Sequence, residues 1–171
     1  PVGGRPFHLQ AVTDQDALLD QVRTDADLDA FPYGLMLWPA AVALAEVVWE
    51  MGDALAGRRV LELGCGIGLA GLAAAARGAR VVQTDYQEEA LELAARAARA
   101  NGLPQIERRR GDWRDWPDDL TGFDLVIASD ILYERSLHPA LTALLPRLPA
   151  PGAPLWIADP LRPQAFDLLD R

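Results

Sequence analysis

Short, mostly apolar runs alternate with longer helix-forming segments along this chain, and that order restricts the fold more than any other sequence feature. The apolar runs cover residues 59–63, 80–84, 106–110, 123–128 and 154–158. The fourth and fifth runs are almost continuously apolar, which is typical of strands buried on both faces of a parallel sheet. Because strand–helix alternation implies right-handed crossovers, the sequence predicts a doubly wound α/β fold with a mainly parallel sheet and helices on both faces.

Four segments between these runs predict helices, namely residues 39–56, 68–77, 87–101 and 134–148. A more polar segment, residues 14–30, carries leucines near helical spacing and predicts a helix packed on the outside. We therefore divide the chain into an N-terminal helical extension, residues 1–32, and a ligand-binding domain, residues 33–171. His8 and His138 have no second metal-binding side chain at ligand spacing and are expected on the surface.

The composition argues against several kinds of partner. The chain carries 16 lysine plus arginine residues against 25 aspartate plus glutamate residues, a net charge of −9, so we expect no nucleic-acid partner. No stretch reaches the ~18 uncharged apolar residues that a membrane span needs, so we expect no membrane partner either. The single cysteine, Cys65, cannot form an internal disulfide, which fits a reducing compartment and predicts a cytoplasmic location.

The loop after the first predicted strand contains Gly64, Gly66 and Gly68 and leads directly into a helix. Glycines there let the chain turn tightly and let backbone N–H groups approach a ligand, while the helix N-terminus adds partial positive charge. Asp85 ends the second strand, where its carboxylate could accept both hydroxyls of a ribose. Tyr86 follows it and could pack beside the ribose or only begin the next helix. The pattern predicts a site for a cofactor of the nucleoside type.

Two cofactors compete for this loop. Gly66-x-Gly68-x-x-Gly71 also matches the dinucleotide fingerprint, which would make the chain an NAD(P)-binding oxidoreductase. Three features favour S-adenosylmethionine instead. Glu62, two positions before the first glycine, favours a cationic ligand. Gly64 shifts the turn one step earlier than the dinucleotide pattern requires. Asp112 with Trp113 offers a carboxylate and a stacking surface for adenine.

The run Glu-Leu-Gly-Cys-Gly-Ile-Gly, residues 62–68, with Asp85 resembles the motif of the seven-stranded, Rossmann-like S-adenosylmethionine-dependent methyltransferases, from about Tyr33 onwards. Asp130-Ile131-Leu132-Tyr133, with Trp38 upstream, resembles the small protein-lysine methyltransferases that carry Asp-x-x-Tyr, including the enzyme that modifies the electron-transfer flavoprotein β subunit. The resemblance implies cofactor contacts for several residues and acceptor-side roles for two others. The implied cofactor-binding residues are Trp38, Glu62, Gly64, Cys65, Gly66, Gly68, Asp85, Tyr86, Asp112, Trp113 and Ser129; the implied catalytic residues are Asp130 and Tyr133.

Asp130 and Tyr133 also suit a lysine acceptor on chemical grounds. A lysine amine has a reference pKa of about 10.4 and arrives protonated. The carboxylate of Asp130 could hold that ammonium, while the ring of Tyr133 could line the channel and attract the cation. The expected partner is thus a protein with an accessible lysine, and no metal is implied.

Alternatives to this interpretation remain open from the sequence. Asp130 could be the N-cap of the helix predicted near Glu134. The acceptor could be a small amine or heteroaromatic ring, as in nicotinamide methylation, or the chain could bind the cofactor without catalysis. The resembled fold has two further strands after the fifth, and too few residues follow residue 158 to form them, so we expect that strand pair to be missing. The sequence does not indicate whether the chain is a monomer or an oligomer.

Overall fold

The computed structural model describes residues 1–14, 20, 23–24 and 31–169. Its centre is a sheet of five strands in the order β3-β2-β1-β4-β5, and every neighbouring pair is parallel. The strands are β1 (Arg59–Leu63), β2 (Arg80–Asp85), β3 (Glu107–Arg110), β4 (Leu125–Ser129) and β5 (Leu155–Ala158). Each starts and ends within two residues of its predicted bounds, and the doubly wound α/β fold is confirmed.

The helices are α1 (Pro39–Glu50), α2 (Leu69–Ala76), α3 (Glu88–Ala100), α4 (His138–Leu144) and α5 (Pro163–Leu169). Short 3₁₀ turns cover Tyr33–Leu35, Gly52–Leu55, Arg135–Leu137 and Leu145–Arg147. The single helix predicted over 134–148 is therefore wrong. Pro139 and Pro146 each sit in a first turn, where the missing N–H costs nothing, and so divide the segment. Helix α5 was not predicted, and most of the helix predicted over 14–30 lies outside the described residues.

Both faces of the sheet are covered by apolar packing. Val60, Leu125 and Ile127 belong to one buried cluster, which they share with α1, α2 and α3. The intervening Leu61 and Val126 belong to a second cluster, which contains the buried side of α4. Because successive strand residues point to opposite faces, this arrangement requires the continuous apolar runs that the sequence shows.

His138 is buried, with 3% of its surface exposed, so its predicted surface position is wrong. Its Nε2 lies 3.1 Å from the carbonyl oxygen of Leu132, to which it donates a hydrogen bond. That bond attaches the first turn of α4 to the loop after β4.

The strand order places the ends of β1 and β4 beside each other at the point where the direction of winding reverses. The chain winds from β1 outwards to β2 and β3, and then returns to β4 and β5 on the other side. In open α/β sheets a crevice forms at this point, beyond the carboxyl ends of the strands. Strands β3 and β5 are the edges, and within the described part no strand follows β5. None of the described helices has the length and apolar character needed to cross a bilayer.

Candidate active site

A cavity of about 550 Å³ opens at the carboxyl ends of the strands, within the size range of small-molecule sites. Residues from the segment before α1 and from the loops after all five strands line it. Of the thirteen residues that the sequence singled out, eleven line this cavity: Trp38, Gly64, Cys65, Gly66, Asp85, Tyr86, Asp112, Trp113, Ser129, Asp130 and Tyr133. Glu62 and Gly68 do not.

Two glycines of the loop after β1 allow close approaches on the cavity side. Gly64 and Gly66 both have positive φ, 63° and 51°, a region that side chains rarely enter. A Cβ on Gly64 would lie 3.1 Å from Cζ2 of Trp113, and one on Gly66 would lie 3.0 Å from the carbonyl oxygen of Gly34. The loop therefore leaves its bare backbone against the cavity.

Asp85 is buried, with 6% of its surface exposed, and ties two loops together. Its Oδ2 accepts a hydrogen bond from the Gly66 N–H at 2.9 Å, and its Oδ1 accepts one from the Gln87 N–H at 3.0 Å. Burial raises the pKa of this carboxyl, and the backbone amides oppose that rise. Each carboxylate oxygen keeps a further lone pair, so Asp85 can still accept hydroxyl groups from a ligand in the cavity.

The side chain of Glu62 lies beneath the loop rather than in the cavity, which corrects its expected contact with a cationic ligand. Its Oε2 accepts a hydrogen bond from Gln83 Nε2 at 2.8 Å, and the amide of Gln83 also donates to the carbonyl of Gly68 at 2.9 Å. A Cβ on Gly68 would meet Gln83 Nε2 at 2.3 Å, and one on Gly71 would meet Glu62 Oε2 at 2.4 Å. These four residues thus support the loop from within the core.

The pKa of Glu62 predicts a pH-dependent stability. Burial raises this pKa from its ordinary value of 4.5 to about 7, against the opposing hydrogen bonds from Gln83 and two backbone amides. Because the folded state prefers the protonated carboxyl, its contribution is fully present below about pH 4.5 and is lost as pH rises through 7. The full loss corresponds to about 3 kcal/mol.

We expect urea unfolding across this pH range to show a fall in the free energy of unfolding that Glu62→Gln largely abolishes. Glu89→Gln, at an exposed position on α3, should keep the slope of the wild type. Parallel curves for the wild type and Glu62→Gln would contradict the assignment.

The loop after β3 brings a carboxylate and an indole to the cavity. Asp112 forms an ion pair with Arg114, whose Nη2 lies 2.7 Å from its Oδ2, and this hydrogen bond lowers the pKa of Asp112. Trp113 packs its ring towards Gly64, so both predicted residues reach the cavity beside the glycine-rich loop. Arg114 also lines the cavity and was missed by sequence reasoning, although its place right after Asp112-Trp113 could have indicated it.

An aromatic cluster lines another side of the cavity. The ring of Tyr33 lies 5.0 Å from that of Tyr133 and 6.3 Å from that of Trp38, measured between centroids. Trp38 Nε1 donates a hydrogen bond to the carbonyl of Tyr33 at 2.9 Å. Burial raises the pKa of Tyr133, so its hydroxyl stays protonated. Tyr33 was missed as a site residue, because only the fold brings the segment before α1 against the loop after β4.

Asp130 lies at the end of β4 with a left-handed backbone, φ 58°. Its N–H donates to the carbonyl of Ala158 at 2.8 Å, and its carboxylate is held by both Nη atoms of Arg162. No side-chain cap is formed on the turn Arg135–Leu137 or on α4, so the alternative that Asp130 is an N-cap is wrong. Arg162 also lines the cavity and was not predicted as a site residue, although its position after the fifth strand could have indicated it.

Comparison with known proteins shows the family of this chain. A family profile described as lysine methyltransferase matches residues 17–164. The chain belongs to the lysine methyltransferase family. This membership favours S-adenosylmethionine over a dinucleotide as the cofactor of the glycine-rich loop.

Curated proteins with similar sequences are also protein methyltransferases. The histone-arginine methyltransferase METTL23 of Mus musculus is 35% identical over 107 residues, 60% of this chain and 42% of that protein. The protein N-lysine methyltransferase METTL21A of Danio rerio is 35% identical over 136 residues, 75% of this chain and 61% of that protein. The chain thus spans about half the length of the curated relatives that it matches.

Solved structures share the fold. TrmN from Thermus thermophilus matches with a TM-score of 0.60 and 27% identity, covering 76% of this chain and 43% of that one. An S-adenosylmethionine-dependent methyltransferase from Mesorhizobium loti matches with a TM-score of 0.52 and 25% identity, covering 69% of this chain and 52% of that one.

The residues in the cavity fit S-adenosylmethionine. Asp85 offers lone pairs for ribose hydroxyls, and the indole of Trp113 offers a face for adenine. Gly64 and Gly66 line the cavity, and a Cβ on either would crowd Trp113 or the Gly34 carbonyl that line it too. Among the described residues no group of three or more histidine, cysteine or acidic side chains is placed to hold a metal. Cys65 is buried, and burial raises the pKa of its thiol, so it is not a poised nucleophile.

Proposed function

We propose that this chain is an S-adenosylmethionine-dependent methyltransferase that modifies a side-chain nitrogen of a protein, with lysine as the acceptor. One observation carries the proposal. Asp85 and Trp113, suited to the cofactor, and Asp130 and Tyr133, suited to the acceptor, line the same cavity. A methyl donor and an acceptor nitrogen could therefore meet away from bulk water.

The chain's own residues provide orientation rather than covalent catalysis. When bound, S-adenosylmethionine supplies an electrophilic methyl group on a cationic sulfur. Asp85 and the glycine-rich loop would fix the position of the nucleoside, and the aromatic cluster of Tyr33, Trp38 and Tyr133 would exclude water from the reacting end. Such positioning in a dry site can supply most of a rate enhancement for a simple group transfer.

The acceptor end is aromatic and acidic, which suits a cationic side chain. The rings of Tyr33 and Tyr133 lie together, and Glu134 lines the same cavity. Ring faces attract an alkylammonium, and desolvation in an apolar channel lowers the pKa of an amine. The acceptor would thus enter as a cation and lose its proton to solvent before it reacts.

The names of relatives support a protein nitrogen as acceptor. Mouse METTL23 is named for arginine, zebrafish METTL21A for lysine, and a Dictyostelium discoideum relative, 34% identical over 126 residues, for histidine. All three are nitrogen-bearing side chains of proteins. We choose lysine because the family description names it. We also retain the cytoplasm as the proposed location, on the ground of the single cysteine.

Labelling tests this proposal. The chain is incubated with a cell lysate and methyl-labelled S-adenosylmethionine, and mass spectrometry locates the label. We expect methylated lysine in protein, and none with Asp85→Ala. Label found only in small molecules would support the nicotinamide-type alternative. A chain that binds S-adenosylhomocysteine but transfers no label would be the non-catalytic binding protein.

A further inference from the structure

The loops after β4 and β5 are joined by an ion pair inside the cavity. Asp130 and Arg162 lie 32 positions apart in the chain, and both line the cavity. The guanidinium meets the carboxylate through two contacts, Nη1 to Oδ1 and Nη2 to Oδ2, the second at 3.3 Å. The Asp130 side chain is only 6% exposed, whereas that of Arg162 is 32% exposed. The carboxylate is therefore enclosed and has a resident cation as its partner.

Both loops are held in unusual backbone conformations around this pair. Among the described residues, Asp130 and Leu161 are the non-glycine residues with positive φ, 58° and 63°. Residues with a Cβ rarely adopt such a conformation, so the surroundings must enforce it. The Asp130 N–H bonds Ala158 O at 2.8 Å, and the Arg162 N–H bonds Asp159 Oδ1 at 3.1 Å.

The ion pair between Asp130 and Arg162 changes the net charge that an acceptor amine encounters in the cavity. An unpaired, enclosed carboxylate would favour the ammonium form and raise the pKa of the amine, which delays formation of the nucleophile. A carboxylate already paired with a guanidinium presents nearly no net charge. Other ionisable groups on the cavity wall or beside the pair are Tyr33, Cys65, Asp85, Tyr86, Asp112, Arg114, Tyr133, Glu134 and Asp159. Of these, Asp112 and Arg114 neutralise each other.

We propose that Arg162 is a positioning residue for the methyl transfer: it fixes the carboxylate of Asp130 and neutralises it, so that the acceptor ammonium gives its proton to solvent more readily. This inference rests on the proposed function. It assigns Arg162 no contact with the reacting atoms. The ammonium proton leaves to water, and the lone pair that remains on nitrogen is the nucleophile.

The test is a pH profile of methyl transfer. Initial rates of tritium incorporation from methyl-labelled S-adenosylmethionine into lysate protein, at limiting acceptor, are measured from about pH 6.5 up to the pH at which each rate levels off. For Arg162→Gln we expect the half-maximal rate about one pH unit higher than in the wild type, which is about a tenfold loss near neutral pH that shrinks towards high pH. Arg162→Lys should restore most of the wild-type profile. Arg135→Gln, which removes the ion pair to Asp167 outside the cavity, should leave the profile unchanged.

A plateau rate that is lowered while the pH of half-maximal rate stays where it is in the wild type would assign Arg162 a purely structural role and overturn the inference, as would an unchanged or faster Arg162→Gln. Calorimetry with S-adenosylhomocysteine on the same variants should show wild-type affinity. If the wild type itself incorporates no label, the proposed function fails and this inference fails with it. A labelled wild type with an unshifted Arg162→Gln profile removes this inference alone.

Discussion

Asp85→Ala should lower the affinity for S-adenosylhomocysteine by about 100-fold or more, measured by isothermal titration calorimetry. The carboxylate that we assign to the ribose is removed. Loss of this charged acceptor for the ribose hydroxyls amounts to about 3 kcal/mol, which corresponds to about two orders of magnitude in Kd. The N–H groups of Gly66 and Gln87 also lose their acceptors at 2.9 and 3.0 Å, which lowers the stability of the fold with or without ligand.

Two control variants separate these effects. Asp85→Asn keeps one oxygen as an acceptor but loses the charge, so its affinity should fall between those of the wild type and the alanine variant. Glu89→Ala removes a carboxylate at an exposed position on the next helix and should bind as the wild type does. Wild-type affinity in Asp85→Ala would mean that the ribose lies elsewhere, and the assignment of the cavity would be withdrawn.

Gly68→Ala should lower the free energy of unfolding by about 2–5 kcal/mol, even though Gly68 does not line the cavity. Its φ of 81° is left-handed, and a Cβ would lie 2.3 Å from Gln83 Nε2. Gln83 cannot move aside without breaking its hydrogen bonds to Glu62 and to the Gly68 carbonyl. Left-handed strain contributes roughly 1–2 kcal/mol, and overpacking adds roughly 1–3 kcal/mol.

Gly102→Ala is the matched control for this prediction. Gly102 has a similar φ of 73°, but a Cβ there would have no atom within 4 Å. It should show the left-handed strain alone, about 1–2 kcal/mol in chemical denaturation. If the two variants lose the same free energy of unfolding, Gln83 moves aside at little cost, and the predicted crowding beneath the loop is contradicted.

The paired state of Asp130 changes how the acceptor end is understood. The resemblance to the Asp-x-x-Tyr enzymes suggests an aspartate that captures the substrate cation. Here Asp130 is already bound to Arg162, so the surfaces left for a cation are the rings of Tyr33 and Tyr133 and the carboxylate of Glu134. Double variants that combine Glu134→Gln with Arg162→Gln would measure how these two features couple.

The order of strands and helices and the turn after β1 could be predicted from the sequence, because both depend on residues that are close in the chain. Strand and helix periodicity depends on residues a few positions apart, and the glycines after β1 mark a turn that only they can form. The rule that ligands bind beyond the carboxyl ends of parallel strands predicts that Asp85, Trp113 and Asp130 share one cavity, and all three line it. Family resemblance contributed Trp38 and Ser129, which lie there too.

By itself, then, the sequence determined the doubly wound sheet, the glycine-rich loop and eleven of the residues that line the cavity. Only the tertiary structure decided that Glu62 points beneath the loop, that Tyr33 packs on Tyr133, and that Arg162 holds Asp130. The physical reason is that periodicity reports which face of an element is buried, whereas a pairing between two loops depends on which strands become neighbours. Asp130 and Arg162 meet because β4 and β5 lie side by side.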